Sequence, residues 1–245
     1  MSVEITGAKI LFRLPFGIVI TETQVNMWIL MLVIVLLCKW LTRNLQVRRP
    51  AGRRQVIAEY LVNMANNFVR NNMGEAFRNF APFIAALFSL AAFCSLSSLI
   101  GMYPPTADLN TTLGWAIVVF LMIMYFKLKT NGLFGYLKGL TEPIPVLMPF
   151  NIIGEFSTPI SMSFRLFGNV SSGVVISTLV YAALAWLSSV VLQWLPGMLA
   201  DIPLLQLGIP AILSIYFDLF SGILQAYIFC MLTMLYVSMA AGKES

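Results

Sequence analysis

Arg165 is the one charged residue between Phe156 and Trp194. In a bilayer a guanidinium costs about 2.5 kcal/mol or more, and it cannot shed its proton to escape that cost. Arg165 is therefore a permanent cation. Polar side chains flank it at helical spacing: Thr158 and Ser161 lie seven and four residues before it, Asn169 and Ser172 four and seven after it. On a helix these offsets gather all four near the arginine's face. The run from Leu204 to Ala241 likewise holds one charge, Asp218, with Ser214, Ser221 and Gln225 at offsets of −4, +3 and +7. Two polar stripes on apolar helices suit the passage of an ion along a hydrated line. On the residues alone two readings of Arg165 stay open. It acts on a mobile charge, or it holds helices together through an internal salt bridge to Asp218 or Glu155. Asp218 and Gln225 also admit a plain helix-packing role, and Asp108 a solvated turn.

Other chemistries are excluded by what the chain lacks. There is no histidine, and Cys38, Cys94 and Cys230 sit in apolar segments without CxxC spacing. That argues against a metal site, a cofactor or histidine-based catalysis; the cysteines read as small apolar residues. Only 10% of residues are charged and 59% are hydrophobic, against about 25% charged in a soluble domain. The mean hydropathy of +0.86 agrees. The net charge of +5 comes from clusters beside apolar spans: Arg43, Arg48, Arg49, Arg53 and Arg54, then Lys127, Lys129 and Lys138. Such clusters mark the cytoplasmic side of a membrane protein, not a nucleic-acid surface.

The elements that must position these residues follow from apolar length. The first segment, to about residue 20, has no clean signal-peptide pattern and is expected outside, at or partly in the membrane surface. Span one runs from Ile20 to Leu41, ending at Lys39 and Trp40, and the basic run after it makes that end cytoplasmic. Residues 55–72 place Val56, Ile57, Tyr60, Leu61, Met64, Phe68 and Val69 at three- and four-residue spacing. This predicts an amphipathic helix at the cytoplasmic face, lying on lipid or against a partner. Span two covers Phe80 to Tyr103. A polar turn, Pro104-Pro-Thr-Ala-Asp-Leu-Asn-Thr-Thr112, leads to span three, Leu113 to Phe126. The glycines and prolines between Gly132 and Pro149 oppose one continuous helix, so short helical pieces or a re-entrant segment are expected there.

The two final segments are each about 38 residues, or about 57 Å as helix, against a hydrocarbon core of about 30 Å. Steep tilt is expected, beyond the usual range of about 0–40°, held by a curved protein partner. The turn between them, Gln193 to Pro203, falls outside and the tail inside. The fold class is thus an all-α integral membrane protein: five transmembrane helices plus an amphipathic helix, the last two helices forming a long, tilted hairpin. The whole chain, 1–245, reads as a single membrane domain.

Three motifs carry a resemblance. Ser163-Phe-Arg-Leu-Phe-Gly-Asn169 resembles the SxRLFGN signature of the a subunit of F-type ATP synthases (the subunit 6 family of the F0 sector). The turn from Pro104 to Thr112 resembles that family's P-(S/T)-A-D-x-N-x-T, and Leu224-Gln-Ala-Tyr-Ile-Phe229 its LQAFIF stretch. The three occur in the family's order, and the resemblance covers nearly the whole chain from Val56 onward. It implies a non-catalytic stator subunit with two aqueous half-channels, facing a ring of c subunits and meeting the b subunits of the peripheral stalk. Arg165 matches the arginine that separates the half-channels. Gln225 matches the glutamine facing it, and Asn169 the motif asparagine near the channel. Asp108 and Asn110 match the outer turn. Asp218 stands where some members have His and others an acid; Ser172 and Ser221 continue the two stripes. The coupling ion, proton or alternatively sodium, is the only small species implied. The expected location is a bacterial plasma membrane, N-terminus outside and C-terminus inside. One departure stands out: many members carry Glu or His after the glycine where this chain has Gly173–Val174. Two rival readings are a secondary transporter for an anionic substrate, which would show internal repeats and broken helices, and a structural anchor, which needs no polar stripes.

Overall fold

A computed structural model describes residues 8–13, 15, 19–43, 45, 52–142, 144–192 and 215–242, with the side chains of 189–192, 217 and 218 excepted. Arg48, Arg49, Ser214, the turn 193–203, the tail 243–245 and the side chain of Asp218 therefore lie outside the described residues.

Among the described residues five helices are long and apolar enough to cross a membrane, as the apolar runs predict. Helix α1 spans Glu22–Leu41. Helix α2, Arg53–Met73, is the expected amphipathic element. Arg54 stacks over the Trp40 ring at 4.3 Å, fastening the start of α2 to the end of α1. Only Val69 and Met73 of α2 are buried, while Val56, Ile57, Tyr60, Leu61 and Met64 stay exposed. A 3-10 turn, Glu75–Phe80, leads into α3, Ala81–Leu96. A second one, Ser97–Ile100, ends the span at Gly101, whose φ of +78° closes it.

One element goes beyond the sequence reading: β1, Ile10–Arg13, pairs antiparallel with β2, Val19–Thr21. Helix α4, Leu109–Thr141, carries span three past Phe126 as far as Gly132, where φ is 67° and ψ 172° and the backbone is not helical; a second, shorter arm follows, one of the short helical pieces expected there. That backbone is accessible essentially to glycine alone, so Gly132 is where the first arm ends and the second begins. Helix α5 begins earlier than Phe156, at Met148, and continues to Leu192 with Pro159 inside it. Pro149 sits in its first turn, where a missing N–H costs nothing. At 45 residues it would be about 67 Å long, longer still than the sequence suggests, so it cannot stand upright in a core of about 30 Å.

The last helix, α6, is Gly222–Ala240. It is preceded by a π-helical stretch, Ile215–Ser221, whose wider turn shifts the register across Asp218. Such π turns inside α-helices favour functional positions. The core joins the end of α2 to α3, α4, α5 and α6 through Val69, Ile84, Val119, Leu166, Phe229 and Met234, all essentially buried. Small residues permit the closest approach. A Cβ on Gly222 would come within 2.9 Å of the Ser95 Cβ, so α3 and α6 touch where only glycine fits. Outward, most large apolar side chains of α1 and many of those of α4 and α5 are exposed, which suits helices solvated by lipid.

Candidate functional site

Helix α5 divides its residues by face around Arg165. Met162, Ser163 and Leu166 are buried against the bundle, whereas Ser161, Phe164 and Arg165 are exposed. Arg165 makes no hydrogen bond or ion pair among the described residues. Glu155, one candidate for an internal bridge, is taken by Lys127. Arg165 therefore carries its charge on an exposed face of α5, beside apolar Phe164.

The predicted stripe is real along α5 but unevenly exposed. Ser161 and Ser172 are exposed, Thr158 and Asn169 half-buried. Thr158 and Ser172 satisfy their hydroxyls on backbone carbonyls of Gly154 and Asn169. Asn169 Nδ2 donates to Ser221 Oγ at 2.8 Å, joining α5 to the end of the π turn. So the structure brings together one member of each predicted stripe. It does not pair Gln225 with Arg165: Gln225 is 6% exposed, and its Nε2 has no hydrogen-bond partner. The amide points into the bundle, one helical turn beyond Ser221.

Asp108 is no free turn residue. Its Oδ1 accepts the backbone N–H of Asn110 at 3.0 Å, capping α4, a role carboxylates fill well because the helix start presents unpaired N–H groups. Its Oδ2 accepts the buried Thr23 hydroxyl at 2.6 Å. Thr21 shares a further hydrogen bond with Thr23, and Asn26 Nδ2 donates to the Tyr103 carbonyl. Burial pushes the Tyr103 phenol above its ordinary value, and the nearby charges of Asp108 and Glu22 raise it further. The Asn110 side chain is exposed and contributes through its backbone alone.

Residues the sequence reading passed over complete the arrangement. Thr112, one turn after Asp108, shares a buried hydrogen bond of 3.1 Å with Ser163, two residues before Arg165. Thr106 is fully buried with an unpartnered Oγ1. Polar groups thus step from Thr23 through Asp108 and Thr112 to Ser163, behind the arginine. The signal was partly present: Thr112 closes the quoted turn and Ser163 opens the quoted signature. Thr23 gave none. Val174 offers no side-chain polarity, only its carbonyl to Thr178. No cluster of three or more metal-ligating side chains exists among the described residues.

Comparison with known proteins follows the same lines. A family model described as "ATP synthase A chain" matches residues 24–238. The chain is 30% identical to "ATP synthase subunit a, sodium ion specific" of Propionigenium modestum, over 97% of this chain and 86% of that protein. It is 31% identical to "ATP synthase subunit a 1" of Crocosphaera subtropica, over 96% and 93% respectively. A subunit a 1 from Chlorobaculum tepidum is 33% identical, over 89% of each chain.

Proposed function

The chain belongs to the ATP synthase A chain family, the multi-pass, non-catalytic, ion-translocating part of the F0 sector; from that premise we propose that Arg165 is the fixed charge separating two half-channels. The observation that carries this reading is its exposure without a partner among the described residues. A permanent cation on an outer, apolar face acts on a charge supplied from outside the chain. A ring of c subunits would supply it as a succession of membrane-buried carboxylates. As each approaches, the guanidinium lowers its pKa and drives off its bound ion. The same charge repels a cation attempting to cross directly. Lysine would serve less well, since burial can neutralise it.

Asp108, Asn110, Thr112 and Ser163 line the approach from the outer side. Asn169, Ser172 and Ser221 supply polar groups beside the arginine, Gln225 supplies a buried amide behind them, and Asp218 keeps the relay role that the family resemblance gives it. With valine at 174, ion relay on the outer side falls to Asp218 and to water. The unpaired Nε2 of Gln225 supports hydration there, because a buried donor without a partner is costly.

The coupling ion is read as the proton, with sodium as the alternative, which the sodium-specific relative keeps in play. The b subunits of a peripheral stalk, a bacterial plasma membrane, an outside N-terminus and an inside C-terminus complete the reading, the two terminal orientations resting on the Lys/Arg clusters. The chain acts as one membrane domain.

The test is Arg165→Ala in the assembled complex. Ion-driven ATP synthesis should vanish while subunit stoichiometry stays normal. Synthesis at the wild-type rate would refute the assignment. Driving the parent complex by a sodium gradient at constant pH, then by a pH gradient without sodium, decides the ion.

A further inference from the structure

A cleft of about 600 Å3 opens between the second half of α4, the start of α5 and the end of α6. It lies toward the opposite end of α4 from the Asp108 cap. Glu155 stands in its wall and accepts hydrogen bonds from both Lys127 and Tyr136. Its side chain is 16% exposed and that of Lys127 31%, so the pair is shielded but reachable from the cleft.

The bend at Gly132 creates this arrangement. Lys127 and Tyr136 are nine residues apart; on an unbroken helix they would lie about 13.5 Å apart along the axis and on opposite faces. Two arms of α4 meeting at a glycine with φ of 67° bring them to one carboxylate. Thr158 lines the same cleft and sits on Arg165's face, about 10.5 Å before it along α5. The cleft therefore leads toward the arginine. The other titratable groups facing it are Glu142 after the bend and Tyr236 from α6.

Resting on the half-channel reading above, and taking Glu155 as the cation-attracting carboxylate of the path on this side, we infer that Lys127 is a built-in counterion tempering its pull. A bare carboxylate in the wall of a narrow polar cleft concentrates cations and holds them. The paired ammonium weakens that hold, so that an ion can both arrive and leave. Glu155 thus acts on the ion, and Lys127 acts through Glu155.

A staple between α4 and α5 would be broken alike by losing either partner; an ion-attracting site would not. In the full complex, ATP-driven pumping is measured against the ion concentration on the Lys127 side, varying sodium at fixed pH and pH at fixed sodium. Glu155→Gln should raise the half-saturating concentration about fivefold or more, and Lys127→Gln should lower it by a similar factor, as expected for one charge removed at close range. Dependence on the opposite side should not move. Shifts of the same sign, no shift, or a shift on the opposite side would overturn the inference. Should Glu155→Gln fail to assemble, Lys127→Gln decides alone, a rise or no change refuting it. Arg165→Ala in the same assay separates the two claims: if pumping requires Arg165 while both variants behave as the parent, only this inference falls.

Discussion

Thr23 and Asp108 lie 85 positions apart, yet their side chains meet at 2.6 Å. The threonine is fully buried and the acceptor is an ionisable carboxylate that also caps α4. Hydrogen bonds to charged groups are worth about 1.5–3 kcal/mol, so Thr23→Val, which keeps the shape and deletes the donor, should destabilise the chain by about that amount. Thermal unfolding in detergent measures it. A double-mutant cycle with Asp108→Ala then isolates the pair: the combined loss should be smaller than the sum of the single losses. Strict additivity would mean that the contact contributes nothing. Asp108 was legible in the sequence because the turn motif and the helix start both mark it. Thr23 was not, since one threonine at the head of an apolar span follows no period, and its partner is fixed only by tertiary packing. Glu155 was legible as a charge but was weighed as a partner for Arg165, because spacing along one helix says nothing of a lysine on the next.

At the scale of elements, apolar length alone foretold five crossings, since water cannot satisfy backbone groups within lipid and helices must. Helix ends were less legible. Glycine and proline are poor helix formers in isolation, yet α4 resumes directly after its break at Gly132 and α5 runs through Pro159. Packing between neighbouring helices and the ties of Lys127, Tyr136 and Asn151 hold these stretches where propensity would break them. The π turn was hidden too, because an extra residue in one turn leaves no mark in composition. Close packing of α3 on α6 gives a direct test. Gly222→Ala would place a methyl within 2.9 Å of the Ser95 Cβ, and overpacking of this kind costs about 1–3 kcal/mol. Ser95 Oγ has no hydrogen-bond partner, so removing it sacrifices no interaction. Ser95→Gly should therefore restore most of the stability lost in Gly222→Ala, as read by thermal unfolding. Failure of the rescue would show that the loss arises elsewhere than at this contact.

For the whole molecule, the two ends of α4 each carry a polar cluster tied across helices: Asp108 with Thr23 at one, Glu155 with Lys127 and Tyr136 at the other. Arg165 lies between them on α5, facing outward, with no partner among the described residues. Among the described residues Lys127 and Glu155 are paired and Asp108 is hydrogen-bonded, while Arg165 is left bare. A cation that held helices together would behave differently from one reserved for an outside partner. Breaking a buried bridge by removing one member costs about 3–5 kcal/mol, because the other is left uncompensated. Arg165→Met, of similar length and apolar, should therefore leave the thermal midpoint of the detergent-solubilised chain unchanged or raise it, since it removes a charge from an apolar face. A fall of bridge-like size would mean that Arg165 binds Asp218 within the chain, and the internal salt bridge would displace the half-channel role. Loss of ion-driven synthesis in the complex, joined to undiminished stability of the chain, is the combination that a charge reserved for a moving partner requires.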